Sequence, residues 1–395
     1  MRRQIYLEPV LKYHAFAHQL QTHPPDGYEV VLPKTVQQSM YNIGYALEFG
    51  RYLLQLTDVF LPTGIVKAYV NRFNYGPPDS IVYATDQLVL RSEDWVVEVE
   101  YASLLLGSSP KHLVRYKEYL QKLLSSRYCK KIRCWTKVGA ESLAEDMDAS
   151  GFAHKIVNIP VAIAPKSFVK EYRDNQKVRL LFVGSGTSKG GFDYRGGRES
   201  LEAFVAVRKT NPNLEMVVRS DVPAELRRAY ANVEGLVFWE QLLSDAEMEQ
   251  LFLSADIFMI PSHNTSPMIV LDAMRHELPT ITIDSWANAE YVEDGQTGLV
   301  APKSKNLPYF YRDTHQPNFS ASEFVNALKR PDGDVVHALA KRLDALVQSP
   351  ELRRRMGRAA REAADNGVFS LAKMNAALAK MFDEARAERN INSRT

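Results

Sequence analysis

From about residue 177 onward, short β-branched runs alternate with stretches in which apolar residues recur every three or four positions. That alternation predicts βαβ units on a parallel sheet. The runs 178–183, 214–219, 236–238, 257–260 and 280–283 are apolar on both faces, as strands sandwiched between helices must be. Helical periodicity covers 197–208, 244–254 and 267–275. Ser244 followed by Glu247 forms a capping box. The first half is less regular, but strands at 28–32, 81–84, 95–99, 131–135 and 155–159, with helices over 39–56, 111–125 and 138–146, predict a second α/β unit. The charged stretch 170–177 follows Pro160 and Pro165 and reads as a linker. It sets domains at 1–170 and 177–368. Residues 369–395 remain as a C-terminal helix and tail, amphipathic through Leu371, Met374, Leu378, Met381 and Phe382, which is expected to cross back to the first domain. Between 301 and 334, Pro302, Pro308, Pro317 and Pro331 lie among aromatics and predict a long irregular loop.

Composition narrows the function class. A chain that is 45% hydrophobic and 24% charged buries enough apolar surface to fold. Its 49 Lys+Arg against 47 Asp+Glu leave a net charge of +2, so no bulk field draws it to nucleic acid, which is not an expected partner. Arg2, Arg3, Glu8 and Lys12 interrupt the first twenty residues, which lack the apolar core of a secretory signal. No uncharged apolar run approaches the roughly 18 residues of a membrane span. Cys129 and Cys134 are too few for a disulfide framework or a zinc site. The expected location is the cytoplasm.

Two segments carry candidate chemistry. Six glycines fall between Gly184 and Gly197, where a strand gives way to a helix. There the backbone amides of Gly184, Ser185 and Gly186 can approach an anion at a helix N-terminus. The spacing fits neither G-x-G-x-x-G nor G-x-x-x-x-G-K-[ST], which excludes the dinucleotide and P-loop readings. Lys189 and Arg195 add cations to the same segment. The second segment runs from Pro261 to Met274: a strand ends, a Ser/Thr/Asn-rich turn follows, and Pro267 opens a helix where its missing N–H costs nothing. The amides of Met268 and Ile269 then face whatever lies beyond the strand end. His263 and Asn264 sit on the turn and Asp272 inside the helix, eight residues after Asn264. His14 and His18 are one helical turn apart but have no third ligand in view, and are read as surface histidines.

The second segment resembles the family-four retaining glycosyltransferases of GT-B fold, in which two Rossmann-like domains face a cleft. The resemblance rests on Pro261-Ser262, Asn264, Asp272-Ala273-Met274, Leu278-Pro279, Glu290 and Asp294-Gly295…Gly298 in order. Arg195-Gly196-Gly197 and Leu201-Glu202-Ala203-Phe204 match the family's K-G-G and L-x-A-F stretch. The resemblance implies a nucleotide-sugar donor, with Asp272 on its ribose hydroxyls and Arg195 on its diphosphate in place of a lysine. The Met268 and Ile269 amides would hold the same phosphates. Asn264 stands where a glutamate usually contacts the transferred sugar, and Ser185 where many relatives carry arginine, with Lys189 compensating. In the first domain, 95–100 resembles a strand that ends in a histidine near the donor sugar, here replaced by Glu100. The family's enzymes typically need neither metal nor another cofactor, and none is expected here.

The acceptor is left open among a glycan, a lipid and a small molecule. Between Lys111 and Lys137 there are nine Lys/Arg and one acid, Glu118. A basic amphipathic helix of this kind can lie on anionic lipid, so peripheral membrane contact through 111–137 is weighed against an ordinary helix with a solvated basic face. The implied activity is retaining hexosyl transfer by front-face displacement. The alternatives are a nucleotide-sugar binder without transfer, or an epimerase or phosphorylase of the same architecture.

Overall fold

The computed structural model of the protein describes residues 2–9, 15–33, 62–107, 109–172, 177–184 and 191–392. The chain divides into two compact units. One comprises residues 1–161, 310–318 and 372–395, the other 162–309 and 319–371. The helix expected over 39–56 lies outside the described residues.

The first unit is a six-stranded sheet of order β2-β1-β3-β4-β5-β6, with every neighbouring pair parallel. Its strands are β1 Arg3–Leu7, β2 Tyr28–Val31, β3 Ile81–Thr85, β4 Trp95–Val99, β5 Cys129–Cys134 and β6 Ile156–Asn158. β1 escapes the sequence pattern because only Ile5, Tyr6 and Leu7 are apolar, yet it is an inner strand. Buried charges of this unit are paired, both between strands and in the connections beside them. Arg133 meets Glu98 at 2.6 Å and Arg91 meets Glu8 at 2.6 Å, as buried ions require. The free thiols of Cys129 and Cys134 are buried, and burial pushes both up to about 12.

The expected loop over 301–334 is divided between the units. Residues 310–318 belong to the first unit, where the fully buried Gln316 accepts from the Ser103 amide at 2.8 Å and donates to the Ser142 carbonyl at 2.7 Å. Ser322–Ala327 is helical and belongs to the second unit. The C-terminal helix Leu371–Asn392 joins the first unit from residue 372, as its amphipathic pattern predicts. Its Phe382 ring lies 5.4 Å from Tyr28 and 5.6 Å from Tyr83, and Asp383 accepts from the Tyr28 hydroxyl at 2.6 Å.

The second unit is a six-stranded sheet of order β12-β11-β10-β7-β8-β9, again wholly parallel. Its strands are β7 Val178–Val183, β8 Leu214–Arg219, β9 Leu236–Trp239, β10 Ile257–Met259, β11 Thr280–Ile283 and β12 Gly298–Ala301. Leu180, Leu181 and Phe182 are all fully buried, as the unbroken apolar run requires. Leu201 and Phe204 of the helix Gly197–Arg208 and Leu339 and Leu343 of the helix Gly333–Gln348 close one face of this sheet against Leu180, Phe182, Met216 and Val218. The D-G-x-x-G stretch is a structural turn: the Gly295 amide donates to the Gly298 carbonyl at 2.9 Å and Asp294 accepts from Val300 at 2.8 Å. A side chain at 298 would come within 2.1 Å of the Thr280 carbonyl, so glycine lets the edge strand β12 pair with β11.

The candidate donor site of the second unit

The two segments singled out by sequence meet at the C-terminal ends of β7 and β10, where parallel α/β sheets bind ligands. Gly196 has φ +73°, and a Cβ there would stand 2.3 Å from the Pro261 carbonyl oxygen. Only glycine permits both the left-handed backbone and that approach. The contact is extended by the His263 amide, which donates to the Tyr194 carbonyl at 2.8 Å. Arg195 is thereby brought to the 261–267 turn, and its Nη1 donates to the Thr265 carbonyl at 3.2 Å. Gly184 lies within the described residues; Ser185, Gly186 and Lys189 do not.

The helix Pro267–Arg275 begins without a side-chain cap. Its N-cap Ser266 turns its hydroxyl to Ser262 instead, 2.9 Å away, and Ser262 donates to the Asn264 amide oxygen at 3.0 Å. First-turn amides without a cap are donors looking for an acceptor, and those of Met268 and Ile269 bond to no backbone carbonyl among the described residues. Arg195, Asn264, Met268 and Ile269 are all half-buried. A guanidinium, a neutral amide and the positive end of a helix therefore share one surface of this unit, an arrangement suited to an anion.

Asp272 sits more than a turn into the same helix. One carboxylate oxygen pairs with Arg275, and the side chain is 28% exposed. Burial raises its pKa above the ordinary aspartate value, and the charge of Arg275 opposes that rise.

His263 departs from expectation. Sequence position suggests a donor ligand, but the residue is 1% exposed and both ring nitrogens are occupied. Nδ1 lies 2.9 Å from the Tyr309 hydroxyl and Nε2 3.1 Å from Glu199. Each ring nitrogen is thus engaged by a buried side chain of its own unit. Burial, and then the charges of Glu199 and Asp284, push the Tyr309 hydroxyl upward, so it remains a donor. His263 thus ties the turn to the core. Sequence reasoning missed Glu199 and Tyr309; the available signal was an acid on the buried face of the helix Gly197–Arg208.

A cavity of about 780 Å³ in this unit is lined by Glu199, Ser304, Asn306, Lys329 and Asp332 among others, and its lining omits Arg195, Asn264 and Asp272. Glu100 belongs to the first unit, just beyond β4. Its amide donates to Asp86 at 3.1 Å, and Asp86 has φ +49°. Burial, then the charges of Glu100 and Glu98, raise Asp86 well above an ordinary carboxylate. His18 is exposed, whereas His14 is outside the described residues. Among the described residues no three His, Cys, Asp or Glu side chains converge as metal ligands, and no helix is long and apolar enough to cross a membrane.

Residues 177–308 match the family model described as Glycosyl transferases group 1. The matched stretch lies wholly within the second unit. It includes the Gly184–Gly197 segment, the 261–267 turn and the helix that follows. Solved structures extend the likeness of fold to both units. A glycosyltransferase from Rickettsia africae is 13% identical over 97% of this chain and 98% of its own, with a TM-score of 0.61. Anabaena HepE, crystallised with UDP and glucose, is 12% identical over 97% and 100%, with a TM-score of 0.56. S. aureus TarM, in a complex that includes UDP, is 11% identical over 78% of this chain and 55% of that one, with a TM-score of 0.54. The chain therefore spans little more than half the length of TarM. No curated protein sequence matches the chain. The two parallel sheets flanked by helices are the Rossmann-like units of the GT-B fold.

Proposed function

We propose that this protein is a retaining glycosyltransferase that moves a hexosyl group from a UDP- or GDP-sugar to a glycan, lipid or small-molecule acceptor. The observation that carries the reading is the meeting of Arg195 with the uncapped N-terminus of the helix Pro267–Arg275, inside the stretch that matches the group 1 glycosyltransferase model. Solved proteins of the same fold hold UDP, which supports a nucleotide donor.

In this reading the diphosphate lies between the Arg195 fork and the Met268 and Ile269 amides. Both stabilise the charge that develops as the glycosidic C–O bond breaks, and preorganised donors of this kind supply much of an enzyme's rate. Lys189, Ser185 and Gly186 belong to the same anion-binding segment, and Asp272 takes the ribose hydroxyls. The leaving phosphate oxygen accepts the acceptor's proton, so neither metal nor cofactor is invoked. Asn264 faces the sugar as a neutral amide, and Glu100 of the first unit is a carboxylate suited to hydroxyls of a sugar or an acceptor. The helix Pro110–Ser125 buries Leu113, Leu120 and Leu124 but leaves Lys111, Arg115, Lys117 and Lys122 exposed beside Val114 and Tyr119. That surface suits an anionic membrane carrying a lipid-linked acceptor, and the site of action is the cytoplasm.

The deciding experiment incubates the protein with UDP- and GDP-sugars and an acceptor panel, then follows released nucleoside diphosphate and the anomeric configuration of the product by NMR. A glycoside of retained configuration supports the reading. Nucleotide binding without turnover favours the alternative motivated by Asn264, a sugar-nucleotide binder, and a changed sugar without transfer favours an epimerase.

A further inference from the structure

Arg219 ends β8, beside Val183 of β7 and Trp239 of β9. Leu214, Met216 and Val218 of the same strand face the core closed by the helices Gly197–Arg208 and Gly333–Gln348, so the strand's alternation turns Arg219 to the opposite face. It is 9% exposed. No carboxylate, carbonyl, hydroxyl or ring engages its side chain among the described residues, and its Nε is sealed from solvent with nothing to donate to. The two more deeply buried arginines behave otherwise, Arg91 bonding Glu8 and Arg133 bonding Glu98. Withdrawing a guanidinium from water without a counter-charge is unfavourable, and buried charges are ordinarily paired. Arg219 is therefore a buried cation with no partner among the described residues of its unit.

Its place indicates the partner. Arg219 stands at the carboxyl end of an inner parallel strand, and its carbonyl accepts from the amide of Gly184, the first residue of the glycine segment, at 2.9 Å. A side chain at 184 would come within 2.2 Å of the Ser220 hydroxyl, so glycine there lets the two strand ends abut. We propose that Arg219 binds a phosphate group of the nucleotide donor, a second cation beside Arg195 that the sequence motifs do not mark. The proposal rests on the nucleotide-sugar reading above. A guanidinium presents paired donors that match two phosphate oxygens, so Arg219 sets affinity for the diphosphate and not for the nucleoside.

The test measures binding of UDP, GDP, the corresponding nucleosides and inorganic pyrophosphate to the full chain and to Arg219→Met by calorimetry, with thermal melts of the unliganded proteins. The expected result is about a tenfold or greater loss of nucleoside diphosphate and pyrophosphate affinity. Nucleoside affinity stays unchanged, and the unliganded melting temperature is equal or higher. Arg219→Gln gives the same readout if the Met variant does not fold. Undiminished diphosphate affinity in a folded variant, or an equal loss for the nucleoside, overturns the proposal. If the wild type binds pyrophosphate through Arg219 but no nucleotide, the anion site stands and the donor reading falls. If it binds neither, both fall.

Discussion

His263 Nε2 lies 3.1 Å from Glu199 Oε1, joining residues 64 apart in sequence across a site that solvent does not reach. The bond links the turn that carries Asn264 to the helix that follows Arg195. Tyr309 on Nδ1 completes a buried string of three side chains. The turn is thereby held from its buried side.

Removing one end of this string leaves a buried polar group unsatisfied. Glu199→Ala and His263→Ala are each expected to destabilise the protein by about 2–3 kcal/mol. The double variant should cost clearly less than the sum, because the two groups share one interaction. Denaturant melts of the three variants check this; strict additivity rules out the coupling.

Arg195→Ala should lower turnover about a hundredfold or more, the scale of losing one preorganised donor at a developing charge. The melting temperature should move little, because Arg195 is half-buried. Arg195→Lys should recover part of the rate, keeping charge but not the fork. Steady-state kinetics with a working donor decides, and a folded Arg195→Ala protein with wild-type turnover removes the residue from the mechanism.

Gly196→Ala asks an L side chain to take φ +73° and to stand 2.3 Å from the Pro261 carbonyl. Substitutions that conflict with native backbone geometry cost more than about 1 kcal/mol. We expect a lower melting temperature together with reduced nucleotide affinity, since the same contact brings Arg195 to the 261–267 turn. Unchanged values for both would mean that the loop relaxes freely.

Asp86 gives a pH signature. Its folded pKa is raised by burial and by Glu100 and Glu98, so the folded state holds its proton more tightly than the unfolded chain does. The stability this provides is fully present below the ordinary aspartate value of about 4 and is lost as pH rises through the raised folded value. Asp86→Asn keeps an oxygen for the Glu100 amide and tolerates positive φ. It should therefore melt higher than wild type near neutral pH, with the gain fading as pH falls toward 4. Melts across that range test it; a gain independent of pH would assign the effect to packing.

What the sequence determined by itself is the set of elements whose burial is written along the chain. The apolar runs became β7, β8, β10 and β11 because a parallel strand covered on both faces needs apolar residues throughout. Ser244 and Glu247 form the predicted capping box because both partners lie within one turn. The tail packs its amphipathic stripe on the first unit for the same local reason. Tertiary structure decided which polar groups meet. His263 reads as a surface ligand until Glu199 and Tyr309 arrive from 64 and 46 residues away. The Gln316 segment looks like part of a loop until its amide finds Ser103 and Ser142. Arg219 looks like an ordinary strand end until burial seals its Nε from water with no acid among the described residues in return. Hydrophobic periodicity is a property of neighbours in the chain, whereas desolvation and hydrogen-bond partnership depend on neighbours in space.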